Sequence, residues 1–279
     1  MFKKLKPLKD LLWAAGIGVA LMCLLVGLVA ANFTSYYGDR ARPVMDLRSG
    51  RTEKETSEAA ADDSGSTSTG LKADGTLHPL AETSKAKKAY LKKLTILCDS
   101  SFVALRGSEL NSAAVWSSET GVLPMDSVSD WKILYPADSS LISPSNAALD
   151  AKPKILVIAV GSDASAGMKK KSFTKNYTAL VNNLAKANPE AKIVCLSLCS
   201  VTESYEGSDG MTAETAAKIN SWIQAVCIDT GAYYGDLSEA LCKDGYLLDE
   251  YADSSGRALN SEGLKALLNY LQKHDVTNQ

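Results

Sequence analysis

Residues 154–161 read KILVIAVG, an apolar run that begins after Lys154 and ends in glycine. A second run, LTILC, occupies residues 94–98 and is followed by Asp99, and a third, KIVCLSLCS, occupies residues 192–200. Short runs that are apolar throughout are typical of parallel strands buried on both faces. They predict a parallel sheet at the centre of residues 91–279.

The segments between these runs carry apolar residues at helical spacing. One such segment extends from Ser172 to Ala187, a second from about Ala213 to Thr230, and the last begins near Ser261, with Asn260 or Ser261 as its cap. Strands that alternate with helices predict a doubly wound α/β fold, in which the site lies at the carboxyl ends of the strands.

The N-terminal part of the chain has a different character. Residues 11–30, LLWAAGIGVALMCLLVGLVA, contain neither a charge nor a proline, and at about 1.5 Å per residue a helix of this length spans about 30 Å of bilayer. Four lysines precede the run, so we predict a cytoplasmic tip over 1–10, a transmembrane signal anchor over 11–31 and an extracellular C-terminal domain. Cleavage after Ala31, as in a signal peptide, is the alternative.

Residues 32–90 are rich in Ser, Thr, Ala, Gly and mixed charge. Between Ser49 and Thr76 the only large apolar side chain is Leu71, which is too little to offset the entropy of ordering the backbone. We therefore predict a flexible extracellular tether over 32–90 and a folded domain over 91–279 on the cell membrane.

The charge balance excludes one class of partner. The 279 residues include 30 Lys and Arg against 32 Asp and Glu, for a net charge of -2. A protein that binds nucleic acid through bulk charge needs a basic excess, so we expect no nucleic-acid partner.

Several weak motifs follow one another in the order of a known family. They are Cys98-Asp99-Ser100-Ser101, the stretch from Pro153 to Gly161-Ser162-Asp163, Pro189 with the strand after it, Ile219-Asn220, Gly235-Asp236-Leu237 and Leu259-Asn260-Ser261-Glu262-Gly263. Over residues 94–274 the chain resembles the SGNH/GDSL hydrolases, in particular the membrane-anchored extracellular SGNH-like proteins of Gram-positive bacteria. The resemblance implies a flavodoxin-like three-layer α/β/α sandwich that hydrolyses carboxylic esters on glycans or lipids without a metal or other cofactor.

The resemblance also implies positions for the site. Ser100 falls on the family's nucleophile, and its amide is one donor of the oxyanion hole. Gly121, or alternatively Gly107, falls on the second backbone donor. Asp163 falls on the third, where the family has Asn; a carboxylate there places negative charge where negative charge must develop.

The partners of the nucleophile are missing from this pattern. The family's Asp aligns on Ser255 and its His on Ala258. The whole chain has two histidines: His78 falls in the predicted tether, and we expect His274 on the surface, about 20 Å from the site along the last helix. Asp253 is a candidate substitute base, although a carboxylate of pKa about 4 is poorly matched to a serine hydroxyl at neutral pH.

Magnitudes favour a loss of catalysis. In a comparable serine hydrolase, loss of the Ser or His costs about 10⁶ in kcat and loss of one oxyanion donor costs about 10² to 10³. We therefore predict an impaired hydrolase domain that binds a glycan or acyl ester, or acts as a scaffold, at the cell envelope. An active ester hydrolase that uses Ser100 with a non-standard base is the alternative.

Three further features have two interpretations each. The aromatic residues Trp116, Trp131 and Tyr135 could stack on a glycan or pack in the core. Three carboxylates, Asp99, Asp163 and Asp253, could bind a divalent cation if they converge. The five cysteines after residue 31 are an odd number, typical of buried thiols, with Cys227 and Cys242 the one candidate disulfide.

Overall fold

The computed structural model describes residues 71–83, 88–207 and 209–278. The predicted cytoplasmic tip, the signal anchor over 11–31 and most of the predicted tether lie outside these residues. Within the described ranges, no helix combines the length and the apolar character needed to cross a membrane.

Ten strands among the residues that the structure describes build the framework. In chain order they are β1 (His78–Pro79), β2 (Leu94–Cys98), β3 (Ala114–Trp116), β4 (Ile133–Leu134), β5 (Leu141–Ile142), β6 (Ile155–Ala159), β7 (Lys192–Leu196), β8 (Tyr233–Gly235), β9 (Cys242–Lys243) and β10 (Tyr246–Leu247). Six of them form one sheet in the order β1-β8-β7-β6-β2-β3. All neighbours in this sheet are parallel, as predicted.

In the described ranges, six α-helices accompany the strands. They are α1 (Lys88–Leu91), α2 (Pro144–Ala151), α3 (Lys170–Ala187), α4 (Ala213–Thr230), α5 (Ser238–Leu241) and α6 (Ser261–Lys273). The predicted helices correspond to α3, α4 and α6. Asn260 caps α6 because its side chain accepts from the N–H groups of Glu262 and Gly263.

The sheet is covered by helices on both faces. One apolar cluster joins Leu97 and Ile158 to side chains of α3 and α4, such as Phe173 and Ile223. A second cluster joins the alternate strand residues to α1, α5 and α6. The result is a three-layer α/β/α sandwich, and it explains why β2 and β6 are buried at every position.

Residues 71–80 belong to this folded domain, although they fall within the predicted tether. β1 extends the sheet by pairing with β8, and the Leu80 N–H donates to the Tyr234 carbonyl at 2.8 Å. Leu80 is buried, and Leu71 and Leu77 pack against the core. A strand of two residues has no periodicity to detect, so the sequence pattern did not indicate it.

The contact between this segment and α4 can be tested at Gly231. This residue ends α4 with φ +76°, and a Cβ there would lie 2.5 Å from the Lys72 backbone. We expect Gly231→Ala to lower the free energy of unfolding of the full-length chain by about 3 kcal/mol, from left-handed strain plus overpacking. Gly107→Ala, with φ +79° and nothing within 4 Å, should lose only about 1 kcal/mol from strain. Equal losses in urea unfolding would contradict the contact.

Candidate active site

The carboxyl ends of β2 and β6 bring the predicted site residues together. These strands are neighbours in register, with Cys98 opposite Ala159. Asp99 and Ser100 follow β2, and Asp163 follows β6 at the same edge of the sheet. The site therefore lies where an open parallel sheet is expected to have one.

Asp99 ties the two strand ends to each other. Its side chain is fully buried, and its Oδ2 accepts from the Gly161 N–H at 2.9 Å, the Ser162 N–H at 2.8 Å and the Ser162 hydroxyl at 2.9 Å. Its Oδ1 accepts from the Ser101 N–H at 3.1 Å. Burial, together with the negative charge of Asp163, raises the pKa of Asp99 to about 6.

Asp163 accepts three hydrogen bonds at the nucleophile position. The Ser100 hydroxyl donates to Oδ1 at 2.5 Å, and the Ser100 N–H donates to Oδ2 at 3.3 Å. The Leu123 N–H donates to the same Oδ2 at 2.8 Å. Two main-chain N–H groups that converge on one oxygen are the arrangement that stabilises an oxyanion in acyl transfer. Here the oxygen belongs to the protein's own carboxylate.

Gly121 has a different place from the one the resemblance implied. Its N–H donates to the Ser118 carbonyl at 3.1 Å within a turn, so the N–H that reaches Asp163 is that of Leu123. Its φ is +85°, and a Cβ at this position would lie 2.8 Å from Val103 Cγ2. A main-chain donor has no residue-type signature, and sequence reasoning therefore missed Leu123.

The positions of the family's Asp and His lie in a surface turn before α6. Ser255 is exposed and donates its hydroxyl to Asp253 Oδ1 at 2.5 Å, and the Asp253 N–H donates to the Ala258 carbonyl at 2.8 Å. In the described part of the chain, none of the three is hydrogen-bonded to Ser100. The carboxylate at the Ser100 hydroxyl is that of Asp163, not of the predicted substitute base Asp253.

Arg257 joins this turn to the strand ends. Its Nη2 donates to the Ser162 carbonyl at 3.1 Å, and its Nη1 pairs with the Asp209 carboxylate. The Thr202 N–H also donates to the Gly256 carbonyl at 2.9 Å. The Arg257 guanidinium therefore contacts Ser162, the residue before Asp163. Arg257 itself lies on the loop that carries the general base in the family.

Neither histidine is positioned to serve Ser100. His78 lies in β1, four strand spacings of about 4.8 Å from β2. The prediction that His274 lies on the surface is wrong: it is 6% exposed, stacks on Tyr270 with ring centroids 3.9 Å apart, and its Nε2 lies 3.6 Å from Glu239. The chain after α6 folds back as a short 3₁₀ helix, Val276–Asn278, which the sequence did not indicate. His274 still lies thirteen residues along the helix axis from Ser261.

The aromatic and metal alternatives are not supported. Trp116, Trp131 and Tyr135 are buried in the core cluster, so they do not offer a free face for stacking. In the described ranges, no three His, Cys, Asp or Glu side chains are grouped to hold a metal ion. Asp99 and Asp163 accept from N–H and O–H donors instead.

The predicted pair of Cys227 and Cys242 is not a disulfide, because all five cysteines of the described residues are free thiols. The Cys227 thiol donates to the Tyr233 carbonyl at 3.7 Å. Burial, and after it the neighbouring Cys242, raises the pKa of Cys199. Burial raises the pKa of Cys98 above its ordinary value, which does not favour a thiolate beside Ser100.

The fold and the strand-end serine define the class of protein. A three-layer parallel α/β sandwich with Ser100 after β2, and with two main-chain N–H groups converging beside it, has the layout of an SGNH-type hydrolase domain. The sequence model of the GDSL-like lipase/acylhydrolase family matches residues 127–266, which is half of the chain. The chain belongs to this family. The match includes Asp163, Ser255 and Ala258 but begins after Ser100.

Solved structures give distant likenesses. A Bacteroides fragilis protein with a provisional acylhydrolase assignment is 14% identical over 71% of this chain and 91% of its own, with a TM-score of 0.49. A GDSL-like lipase from Bacteroides thetaiotaomicron is 11% identical over 70% and 93%, with a TM-score of 0.47. A carbohydrate acetylesterase from Sinorhizobium meliloti is 12% identical over 66% and 96%, with a TM-score of 0.38. Comparison with curated proteins gives no match.

The buried Asp99 makes a testable contribution to the pH dependence of stability. Its pKa is raised from 3.8 to about 6 in the folded chain, so the folded state holds this proton to a higher pH than the unfolded state. The stabilisation from this proton is therefore lost as the pH rises from about 4 to about 6, by about 3 kcal/mol in total.

Asp99→Asn should remove this component from the unfolding free energy of the full-length chain measured between pH 3.5 and 7. The exposed carboxylate variant Asp253→Asn is the control and should keep it. Parallel wild-type and Asp99→Asn curves over this range would contradict the assignment.

Proposed function

We propose that this SGNH/GDSL hydrolase-like domain is catalytically impaired and acts at the cell envelope as a binding or scaffold domain. In this proposal residues 11–31 anchor the chain in the cell membrane and the domain is extracellular, as the apolar run and the lysines before it favour. Its ligand class is a glycan or an acyl ester, carried over from the family.

One observation carries the proposal: the Asp163 carboxylate accepts hydrogen bonds from the two main-chain N–H groups that would otherwise stabilise a substrate oxyanion. The N–H groups of Ser100 and Leu123 point at Oδ2, so a substrate oxyanion would have to displace a carboxylate that is only 8% exposed. It would also develop beside a negative charge. Both effects raise the energy of the transition state relative to the ground state.

The lack of a histidine next to Ser100 among the described residues acts in the same direction. The hydroxyl proton points at Asp163, and the imidazole that the family uses is replaced by the methyl group of Ala258. Loss of the base and of one oxyanion donor together should lower the rate far below that of a complete triad.

The same hydrogen bond supports a second candidate function. The Ser100 hydroxyl lies 2.5 Å from Asp163 Oδ1, which is within reach for transfer of its proton to the carboxylate. In an active hydrolase of this kind, Asp163 would take the proton as Oγ attacks the ester carbon. The neutral acid would then release the two N–H groups to the oxyanion.

Hydrolysis assays separate the two candidates. We expect the full-length chain to show no turnover of p-nitrophenyl acetate or of an O-acetylated glycan above that of Ser100→Ala. Turnover that depends on Ser100 would overturn the proposal, and its additional loss in Asp163→Asn would establish the second candidate.

Restoring the family's residues should restore catalysis. The triple variant Asp163→Asn, Ser255→Asp, Ala258→His supplies an amide donor, an orienting carboxylate and a base. We expect its acetyl-ester turnover to exceed that of the wild type by at least about 10²-fold, the effect of a single oxyanion donor. Adding Ser100→Ala to the triple variant is the matched control and should abolish the gain. A folded triple variant as inactive as its control would show that these substitutions do not explain the impairment.

A further inference from the structure

A cleft of about 550 Å³ lies beside the C-terminal part of α6. Its walls come from α5, from α6 and from the segment before α1, and the titratable groups among them are Glu82, Glu239, Tyr270, Lys273 and His274. Because α6 has 13 residues, His274 lies about 20 Å along the helix axis from the turn that carries Arg257. The volume falls within the range of about 300 to 1,000 Å³ that small-molecule sites occupy.

The imidazole of His274 has one defined hydrogen. The residue is 6% exposed, its ring stacks on Tyr270, and its Nδ1 lies 2.8 Å from the Tyr270 carbonyl oxygen. A carbonyl oxygen can only accept, so Nδ1 carries the hydrogen. The neutral ring therefore keeps a lone pair on Nε2, which is a hydrogen-bond acceptor.

This Nε2 lacks a donor. In the described ranges its nearest charged neighbour is Glu239, whose Oε2 lies 3.6 Å away, beyond the length of a hydrogen bond. A carboxylate oxygen also only accepts, so two acceptors face each other across this distance. A buried polar atom without a partner is uncommon in proteins and requires an explanation. A bound N–H donor between Nε2 and Oε2 would satisfy both acceptors.

The charges around the cleft favour a cation as that donor. Lys273 Nζ pairs with Glu82 Oε1 at 3.1 Å, so these two charges compensate each other. Glu239, whose side chain is 58% exposed, adds a negative charge at the opening. The C-terminal end of α6 also lies here, and the partial negative charge of a helix C-terminus attracts cations.

The remaining walls define the rest of the ligand. The side chains of Ala240 and Ala266 line the cleft, and their methyl groups offer neither a donor nor an acceptor. They leave room for a short apolar body beside the two acceptors. The cleft thus combines a site for charged N–H groups with a small apolar wall.

We propose that this cleft binds a small organic cation that consists of a primary ammonium group on a short apolar body. The ammonium N–H groups donate to His274 Nε2 and to the Glu239 carboxylate, and the apolar body lies against Ala240 and Ala266. The site is separate from the Ser100 centre, so its occupation does not depend on whether that centre is active.

The histidine content of the chain makes a direct test possible. In the full-length chain labelled with ¹⁵N-histidine, His78 and His274 give the only imidazole signals, and His78, which lies in β1 outside the cleft, is the internal reference. The probe is n-butylamine at pH 8, where histidine side chains are ordinarily neutral and the amine is charged. Its addition should shift the Nε2 signal of His274 and leave the signals of His78 unchanged.

Two matched probes separate the N–H donors from the charge. Tetramethylammonium has the charge but no N–H group, and n-butanol has a donor but no charge. Each should bind at least about 10-fold more weakly than n-butylamine, because a charge-assisted hydrogen bond is lost.

Variants assign the contacts by calorimetry with n-butylamine. Glu239→Gln removes the charge, and His274→Phe keeps a stacked ring but removes Nε2. Each should weaken binding at least about 10-fold. Glu214→Gln, an exposed position in the first turn of α4 and outside the cleft, should bind as the wild type does. An unchanged His274 signal in the wild type, or equal binding of tetramethylammonium, would overturn the proposal whether or not the variants fold.

Discussion

The buried carboxylate of Asp99 is the constraint on which the site depends. Its two oxygens accept from donors on both strand ends, three of them on the segment after β6. These donors are buried and would lose their hydrogen bonds if the carboxylate moved. The carboxylate therefore holds the backbone of residues 99–101 against that of residues 161–163. Ser100 and Asp163 are held at hydrogen-bonding distance as a consequence.

This arrangement explains how one substitution changes the chemistry of the site. An amide side chain at residue 163 could donate a hydrogen bond to an oxyanion. The carboxylate of Asp163 instead accepts the hydrogen bonds of the two N–H groups already there. The N–H groups of Ser100 and Leu123 converge as they would to stabilise an oxyanion in acyl transfer. In this protein, however, they donate to the carboxylate of Asp163. In the proposed alignment, Ser255 and Ala258 of the turn before α6 replace the groups that would move a proton. Arg257 joins this turn to Ser162.

Most of the fold could be predicted from the sequence, because apolar periodicity and the runs at 94–98 and 154–161 report burial directly. Asn260 as a helix cap followed from residue type. The strand at His78–Pro79 and the burial of His274 could not be predicted, since each depends on contacts with segments far away in sequence: β8 for the first, and Glu239 on α5 with the returning C-terminal residues for the second. The aromatic residues 116, 131 and 135 were ambiguous because a side chain that stacks on a ligand and one that fills a core are the same residue type.

The sequence by itself determined the class of fold and the family, and it predicted, through the resemblance, a serine at the nucleophile position and no histidine where the family has one. These are properties of residue type and spacing. Only the tertiary structure decided which groups meet: that Asp163 rather than Asp253 lies at the Ser100 hydroxyl, and that Leu123 rather than Gly121 donates the second N–H to Asp163. Hydrogen bonds and charge interactions act over a few ångströms, and distances of that size between remote residues are set by packing, which no local pattern encodes.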